Sequence, residues 1–373
     1  MSSTYLGIVF PNTHDTALPE LTSIRSMGSV PFGGRYRLID FALSNLVNAG
    51  VEKVGIITTN NYQSLMDHIG SGKPWDLDRK INGVHFIPPY TYGAGNTSGV
   101  IDLTVGAMPF LRRSKEDYVI MCTCDVVANI DLEPMLEKHI ESGADFTIAY
   151  KKMTDKDVYR NVMLLEGIEE SGKINTIRIS NDPVENCNCS LGIIVVKREL
   201  LIDIVSEAAA LGKTSFSRQI LQSNTDKVHK IYGYEVKEFA KIITSFESYV
   251  KITNTVLAEH EVRNQLFSTE RPVFTKVRDD MPTKYGLDSN VKSSMIGNGC
   301  VIDGEVKNSV LFRGVKVGKG AVVENCIIMQ DCVIGEGAKL KNITTDKNVI
   351  VTDGTTLNGA AKYPMYIKKG ATV

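Results

Sequence analysis

The last third of the chain repeats itself. Three segments share one pattern, IGNGCVI (296–302), VGKGAVV (317–323) and IGEGAKL (334–340), and the last two lie 17 residues apart. Asn308, Asn325 and Asn342 recur at that same offset, and NSVLFRGVKVG (308–318) aligns with NCIIMQDCVIG (325–335) without a gap. An apolar residue at about every sixth position, with glycines beside it, marks a hexapeptide parallel β-helix. Each coil then has three short strands, and the apolar residue of each hexad points into a narrow core.

Many hexapeptide β-helices are acyltransferases, which need a histidine base to activate the acceptor. The six histidines here, at 14, 68, 85, 139, 229 and 260, all lie outside the repeat. The repeat therefore reads as a structural and oligomerisation module.

The first two-thirds alternates strand and helix. The strands are YLGIVF (5–10), VEKVGIITT (51–59), GVHFIPP (83–89), YVIMCTCD (118–125) and ADFTIAY (144–150). Between them lie the helical NYQSLMDHIG (61–70), SGVIDLTVGAMPFL (98–111) and a helix capped by Asp131, with Pro134 in its first turn, ending near Gly143. Such alternation implies βαβ crossovers and a mostly parallel sheet. Residues 160–245 are more strand-rich and less regular, and 245–262 reads as the closing helix. The expected organisation is an α/β domain over 1–262, a linker over 263–285 and the β-helix over 286–373.

Composition narrows the function classes. The net charge is -1, with no basic block, which gives no electrostatic support for nucleic acid or an anionic membrane as partner. No apolar run approaches the roughly 18–20 residues that span a bilayer. Seven cysteines, an odd number, with no secretion signal at Met1–Phe10, point to the cytoplasm. Two CxC pairs, Cys122/Cys124 and Cys187/Cys189, lack the longer spacing of zinc knuckles and read as structural thiols.

An open α/β sheet binds ligands beyond the carboxyl ends of its strands. Asp125 ends the apolar strand VIMCTCD there, where one carboxylate can hold Mg²⁺ against a phosphate, or simply cap the next turn or meet a basic side chain. Arg35 and Arg37 follow a double glycine near a helix start, a placement that suits either phosphate binding or surface ion pairing. The opening strand, however, runs into a loop with no glycine between Gly7 and Gly28, and the first lysine is Lys53. A phosphate-cradling loop needs both.

Nearly the whole chain resembles the ADP-glucose pyrophosphorylases (glucose-1-phosphate adenylyltransferases). VPFGGRYRLIDFALSNLVNAG (30–50), PWDLDRK (74–80), SLGIIVV (190–196) and SVLFRGVKVGKGAVV (309–323) carry the match. The resemblance implies a Rossmann-like nucleotidyltransferase domain followed by a left-handed β-helix. It also exposes departures. The family's glycine-rich triphosphate loop is here PNTHDTALPELTSI (11–24), in which Asp15 and Glu20 would repel a triphosphate. Met27 stands at the place of a family lysine. Thr123-Cys124-Asp125 keeps the metal aspartate but not its glycine, and Ile242 replaces the second metal aspartate. In ISNDP (179–183), Asp182 replaces the lysine that contacts the sugar phosphate.

Phosphoryl transfer depends on positioning and on cancelling phosphate charge, so these losses leave no complete catalytic set. The pattern is similar to the divergent second subunit of the bacterial enzyme. It implies a regulatory chain in glycogen biosynthesis with no cofactor of its own. Its partner is a catalytic homologue, which carries the Mg²⁺ and joins it in a heterotetramer. In the family, the residue after PFGG contributes to effector binding, which assigns Arg35, with Arg37 beside it, to a phosphorylated metabolite. The alternatives are an active sugar-1-phosphate nucleotidyltransferase with rearranged ligands, and a scaffold or acyltransferase.

Overall fold

The computed structural model describes residues 4–88, 99–153, 162–182, 184–224, 228–361 and 363–373. Pro89, Ser98 and Pro183, which belong to three of the segments read above, lie outside the described residues.

Four strands, β1 (Tyr5–Phe10), β2 (Lys53–Ile57), β3 (Gly83–Ile87) and β4 (Tyr118–Thr123), form a parallel block in the spatial order β3-β2-β1-β4. Their near-continuous apolar text suits strands covered on both faces. Five more strands complete a nine-stranded sheet: β5 (Phe146–Met153), β6 (Val162–Ile168), β7 (Ile174–Ser180), β8 (Cys187–Lys197) and β9 (Ile231–Glu235). β8 runs antiparallel to β4, β5 and β6, and β7 antiparallel to β6, while β9 runs parallel to β5. The parallel crossovers thus build the first half of the sheet. The strand-rich stretch after residue 160 adds the antiparallel part. The short connection between β6 and β7 suffices for a hairpin but not for a crossover, while the longer one from β8 to the parallel β9 holds the helix Arg198–Ala210.

Two core clusters lie on this sheet. Val9, Ile56 and Ile120 pack in one, and Leu6, Ile8 and Ile148 in the other. Alternate residues of each strand point to opposite faces, so one strand feeds both.

Eight helices are labelled here: α1 (Leu38–Asn48), α2 (Gln63–Ile69), α3 (Val100–Gly106), α4 (Met108–Arg113), α5 (Glu133–Ser142), α6 (Arg198–Ala210), α7 (Phe246–Ala258) and α8 (His260–Leu266). Two segments expected as single helices are each split. Within 98–111, Pro109 has no amide to donate and sits in the first turn of the second helix, α4. Within 245–262, the Arg263 guanidinium donates to the carbonyls of Val256 and Leu257, ending α7 early, and Glu259 turns extended before α8. At α5, the Asp131 carboxylate accepts from the Glu133 amide at 3.1 Å, and Gly143 closes the helix at φ 57°.

The repeat region forms three parallel five-stranded sheets, the faces of a left-handed β-helix. Lys316 pairs with Val333 and Val333 with Ile350, so successive strands on a face lie one 17-residue coil apart. The asparagine repeat has a backbone cause. Asn308, Asn325 and Asn342 adopt φ of 45°, 53° and 56° at successive corners, the left-handed conformation that asparagine tolerates best after glycine. Their side chains also stack. Asn325 Nδ2 donates to Asn342 Oδ1 at 3.4 Å, and Asn342 Nδ2 to the Gly359 carbonyl at 2.8 Å. Ile302, Val317, Ile334 and Val351 fill the interior.

A further cluster joins the β-helix to the first domain. Leu18, Leu21, Met27, Phe32 and Tyr249 meet Phe312 and Met329, all at most 1% exposed. Burial of large apolar side chains stabilises by about 1.5–3 kcal/mol each, so this contact is a core rather than a loose docking. A buried ion pair crosses the same boundary. Arg25 Nη2 lies 2.7 Å from both oxygens of Asp346, whose carboxylate also accepts from Tyr366 at 2.8 Å and from the Lys347 amide at 2.7 Å.

Candidate functional site

Two cavities collect the residues singled out above. The first, of about 240 Å³, opens beyond the carboxyl end of β4 and is walled by β4, β6, β7 and β8. Asp125 and Ile242 both line it, because Ile242 pairs with Val126 in a two-stranded ladder directly after β4. The two positions that the resemblance assigns to the family's metal aspartates thus border one cavity. Gly192 on β8 adopts φ +64°, and a Cβ there would fall 2.1 Å from Thr123 Oγ1, so only glycine lets the wall close against β4.

His14 decides what this cavity does. Its Nδ1 lies 2.8 Å from Asp125 Oδ2, with side-chain exposures of 41% and 8% respectively. The Asp125 charge raises the His14 imidazole above its ordinary value, against the opposing effect of burial. Burial works against ionisation of Asp125, but the adjacent His14 charge and hydrogen bond outweigh it and hold the carboxyl below its usual value. One oxygen of the carboxylate therefore faces the His14 ring.

The opening loop is rebuilt around this contact. Asp15 accepts from the Met27 amide at 2.7 Å and from Asn12 Nδ2 at 2.8 Å, while burial raises its pKa. Neither Asp15 nor Glu20 lines the cavity, although Asp15 lies close enough to act on the charge of His14. Asp15 fastens the loop to itself, and Met27, at the place of the family lysine, is 1% exposed in the inter-domain core. Cys124, at the family's glycine, is buried, and Asp182 is exposed and outside the cavity lining.

The donor set does not fit Mg²⁺. A dication prefers oxygen ligands, commonly one or two carboxylates with phosphate oxygens. Here the one carboxylate is already paired with an imidazole, and the second position in the same cavity is a hydrocarbon. Among the described residues, no group of three His, Cys, Asp or Glu is placed to hold a metal.

The second cavity, of about 260 Å³, lies where the first domain meets the β-helix. Six cations line it, Arg35, Arg37, Lys276, Arg278, Arg313 and Lys347, against the carboxylates of Asp67 and Asp331. The double glycine places the first two. Gly33 and Gly34 take φ of 57° and 80° and turn a tight hairpin in which Phe32 pairs with Tyr36, leaving Arg35 at the tip. Its guanidinium sits 5.5 Å from the centre of the Tyr36 ring, which stacks on Phe267 at 4.9 Å. Arg37 is held by Ser64, through the carbonyl at 2.5 Å and Oγ at 3.0 Å. Asp40 accepts from the Arg37 amide at 3.0 Å and lies 2.6 Å from His68 Nε2, fixing the cavity floor.

Crowding and burial strain these charges. Burial lowers Arg37 to about 10. Burial, then the charges of Arg37 and Arg25, lower Lys347 to about 7. A polyanion with planar oxygen faces would relieve both effects, since arginine forks match phosphate oxygens in pairs. The sequence reading found Arg35 and Arg37 but missed Lys276, Arg278, Arg313, Lys347 and His14. None carried a local signal, because each meets its neighbours only through the fold.

Comparison with known proteins agrees with this architecture. Residues 15–178 match the model described as nucleotidyl transferase, and residues 281–361 match the GlmU-like C-terminal hexapeptide model. The fold is thus that of a nucleotidyltransferase joined to a hexapeptide β-helix. The chain is 35% identical to the glycogen biosynthesis protein GlgD of Bacillus subtilis (strain 168), over 98% of this chain and 96% of that one. It is 38% identical to GlgD of Geobacillus stearothermophilus, over 87% and 84%. Its identity to the glucose-1-phosphate adenylyltransferase of Clostridium perfringens (strain SM101 / Type A) is 30%, over 86% and 82%. The chain belongs to the GlgD family of glycogen biosynthesis proteins, which is related to the glucose-1-phosphate adenylyltransferases. Among the described residues no helix is long and apolar enough to cross a membrane.

Proposed function

We propose that this chain is a regulatory, largely non-catalytic subunit of a glucose-1-phosphate adenylyltransferase complex in glycogen biosynthesis. Its partner is a catalytic homologue that makes ADP-glucose and pyrophosphate from ATP and glucose 1-phosphate with Mg²⁺. The observation that carries this reading is the first cavity, in which His14 occupies Asp125 and Ile242 lines the same wall space. Removing one electrostatic donor typically costs about 10²–10³ in rate, and several groups have gone from this site together.

The second cavity supports a regulatory role. Its six cations suit a phosphorylated metabolite, with Arg35 and Arg37 as the effector-binding residues named from the sequence. The test is direct. The purified chain alone should make little ADP-glucose, and mixing it with its catalytic homologue should raise the rate or shift the effector response. If mixing changes neither, the reading fails. In the mixed complex, Arg35→Ala should weaken activation by a phosphorylated metabolite while leaving assembly intact, and an unchanged effector curve would remove Arg35 from the site.

A further inference from the structure

Seven cysteines are present, and the subunit reading uses none of them. Six are buried, and Cys187 alone is partly exposed. Burial raises the pKa of the enclosed thiols, Cys122 and Cys326 to about 12, Cys332 to about 11 and Cys189 well above its ordinary value, which keeps them from starting an exchange with a reagent in solution. Cys187 is different in a second way. Its Sγ lies 3.2 Å from the Sγ of Cys189, two residues along β8 on the same face of the strand.

We propose that Cys187 and Cys189 form a redox-active dithiol that closes reversibly to an intrachain disulfide by exchange with low-molecular-weight disulfides such as oxidised glutathione. The Cys187 thiolate, the accessible one, attacks one sulfur of the glutathione disulfide and releases one glutathione thiolate. The Cys189 thiolate then attacks the Cys187 sulfur of the mixed disulfide and releases the second. Two cysteine thiols are oxidised, one glutathione disulfide is reduced to two thiols, and the two cysteine protons pass to the leaving thiolates.

The geometry sets both the ease of closure and its reversibility. A disulfide bond is about 2.05 Å long, so the two sulfurs have only about 1 Å to travel. The backbone resists more. Residues two apart on a strand have Cα atoms about 6.4–6.8 Å apart, at the upper limit of about 6.8 Å that a disulfide accepts. The bond therefore forms under strain, and strained, exposed disulfides are the readily reduced ones. The strand end can yield. Cys187 is the first residue of β8, it follows Asn186 at φ 47°, and its ladder partner is Met153, the last residue of β5. Closure puckers the same stretch of β8 that continues into Ser190 and Gly192, which wall the first cavity.

The dithiol is independent of the subunit reading, and its test is chemical. The native full-length chain is incubated with oxidised glutathione, quenched with acid and mapped by mass spectrometry. The peptide holding both residues should lose two hydrogens, and dithiothreitol should restore them. Cys187→Ser should show no change at this peptide. Cys189→Ser should accumulate glutathione on Cys187, because the resolving thiol is gone. A wild-type chain that stays reduced, or that ends with glutathione retained on Cys187, overturns the proposal. Brief iodoacetamide treatment of the native wild type gives a check free of mutational damage. Cys187 should react at least tenfold faster than any of the buried cysteines, and equal labelling overturns the order of attack.

Discussion

Arg25 and Asp346 tie the rebuilt loop to the β-helix, and breaking the pair should loosen that junction more than any surface change. The Arg25 side chain is 2% exposed and that of Asp346 is 0%. Replacing Arg25 by Met keeps most of the apolar stem but strands a buried carboxylate. Removing one partner of a buried pair typically costs about 3–5 kcal/mol, because the other charge is left uncompensated. The Lys347 amide and the Tyr366 hydroxyl still reach Asp346, so the lower end, about 3 kcal/mol, is expected. At about 1–3 kcal/mol per molar in urea for small proteins, and more for larger ones, this moves the midpoint down by about 1 M. Trp75 is the single tryptophan and is buried in the first domain, so its fluorescence reports that domain. Circular dichroism adds the β-helix, and non-coincident curves would show that the junction parts first. The double variant Arg25→Met/Asp346→Leu removes both charges. It should cost well below the sum of the singles, leaving a coupling of at least about 2 kcal/mol. Single variants that cost under about 1 kcal/mol, or a double that is simply additive, would refute the reasoning.

Three further outcomes follow from the cavities. Ile242→Asp alone should gain little affinity for Mn²⁺, because His14 still holds Asp125; adding His14→Ala should produce measurable binding by calorimetry, and equal affinity with and without His14 would sink this account. The His14–Asp125 pair has a defined pH window. The raised His14 value means its stabilisation is complete below about 6.5 and fades as pH rises through the folded-state value, while the lowered Asp125 value means its share fades as pH falls below about 3.8. An NMR titration should find the His14 imidazole above its ordinary value and falling in Asp125→Asn; no response to that substitution would contradict the pairing. Lys347, near 7 in the free protein, must take up a proton to serve an anion. Affinity for a phosphorylated metabolite should therefore fall between pH 7 and 9, by up to about tenfold per unit, and Lys347→Met should flatten the profile.

Legibility differed sharply between the two halves of the problem. The coil length and the corner asparagines could be read directly, since a left-handed corner and an inward apolar position each demand a residue type locally. The break at Pro109 went unread within 98–111 although proline carries the signal, whereas the guanidinium of Arg263 reaching back to end α7 could not be read, because arginine carries no positional signature. In the site, Asp125 and Ile242 were readable from the resemblance and proved to share a cavity. His14 was unreadable as a partner of Asp125, which lies 111 positions further along the chain.

The sequence by itself determined the repeat, the alternation, the family text and the loss of the glycine-rich loop, all of which depend on neighbours within a few residues. Only the tertiary structure decided that Asp15 fastens the opening loop to itself, that an imidazole sits on the surviving carboxylate, and that four separate stretches pool six basic side chains in one cleft. The physical reason is the same in each case. Backbone conformation and burial period are set locally, but a charge acquires its meaning from whatever the fold brings within a few ångströms of it, and that distance is written nowhere along the chain.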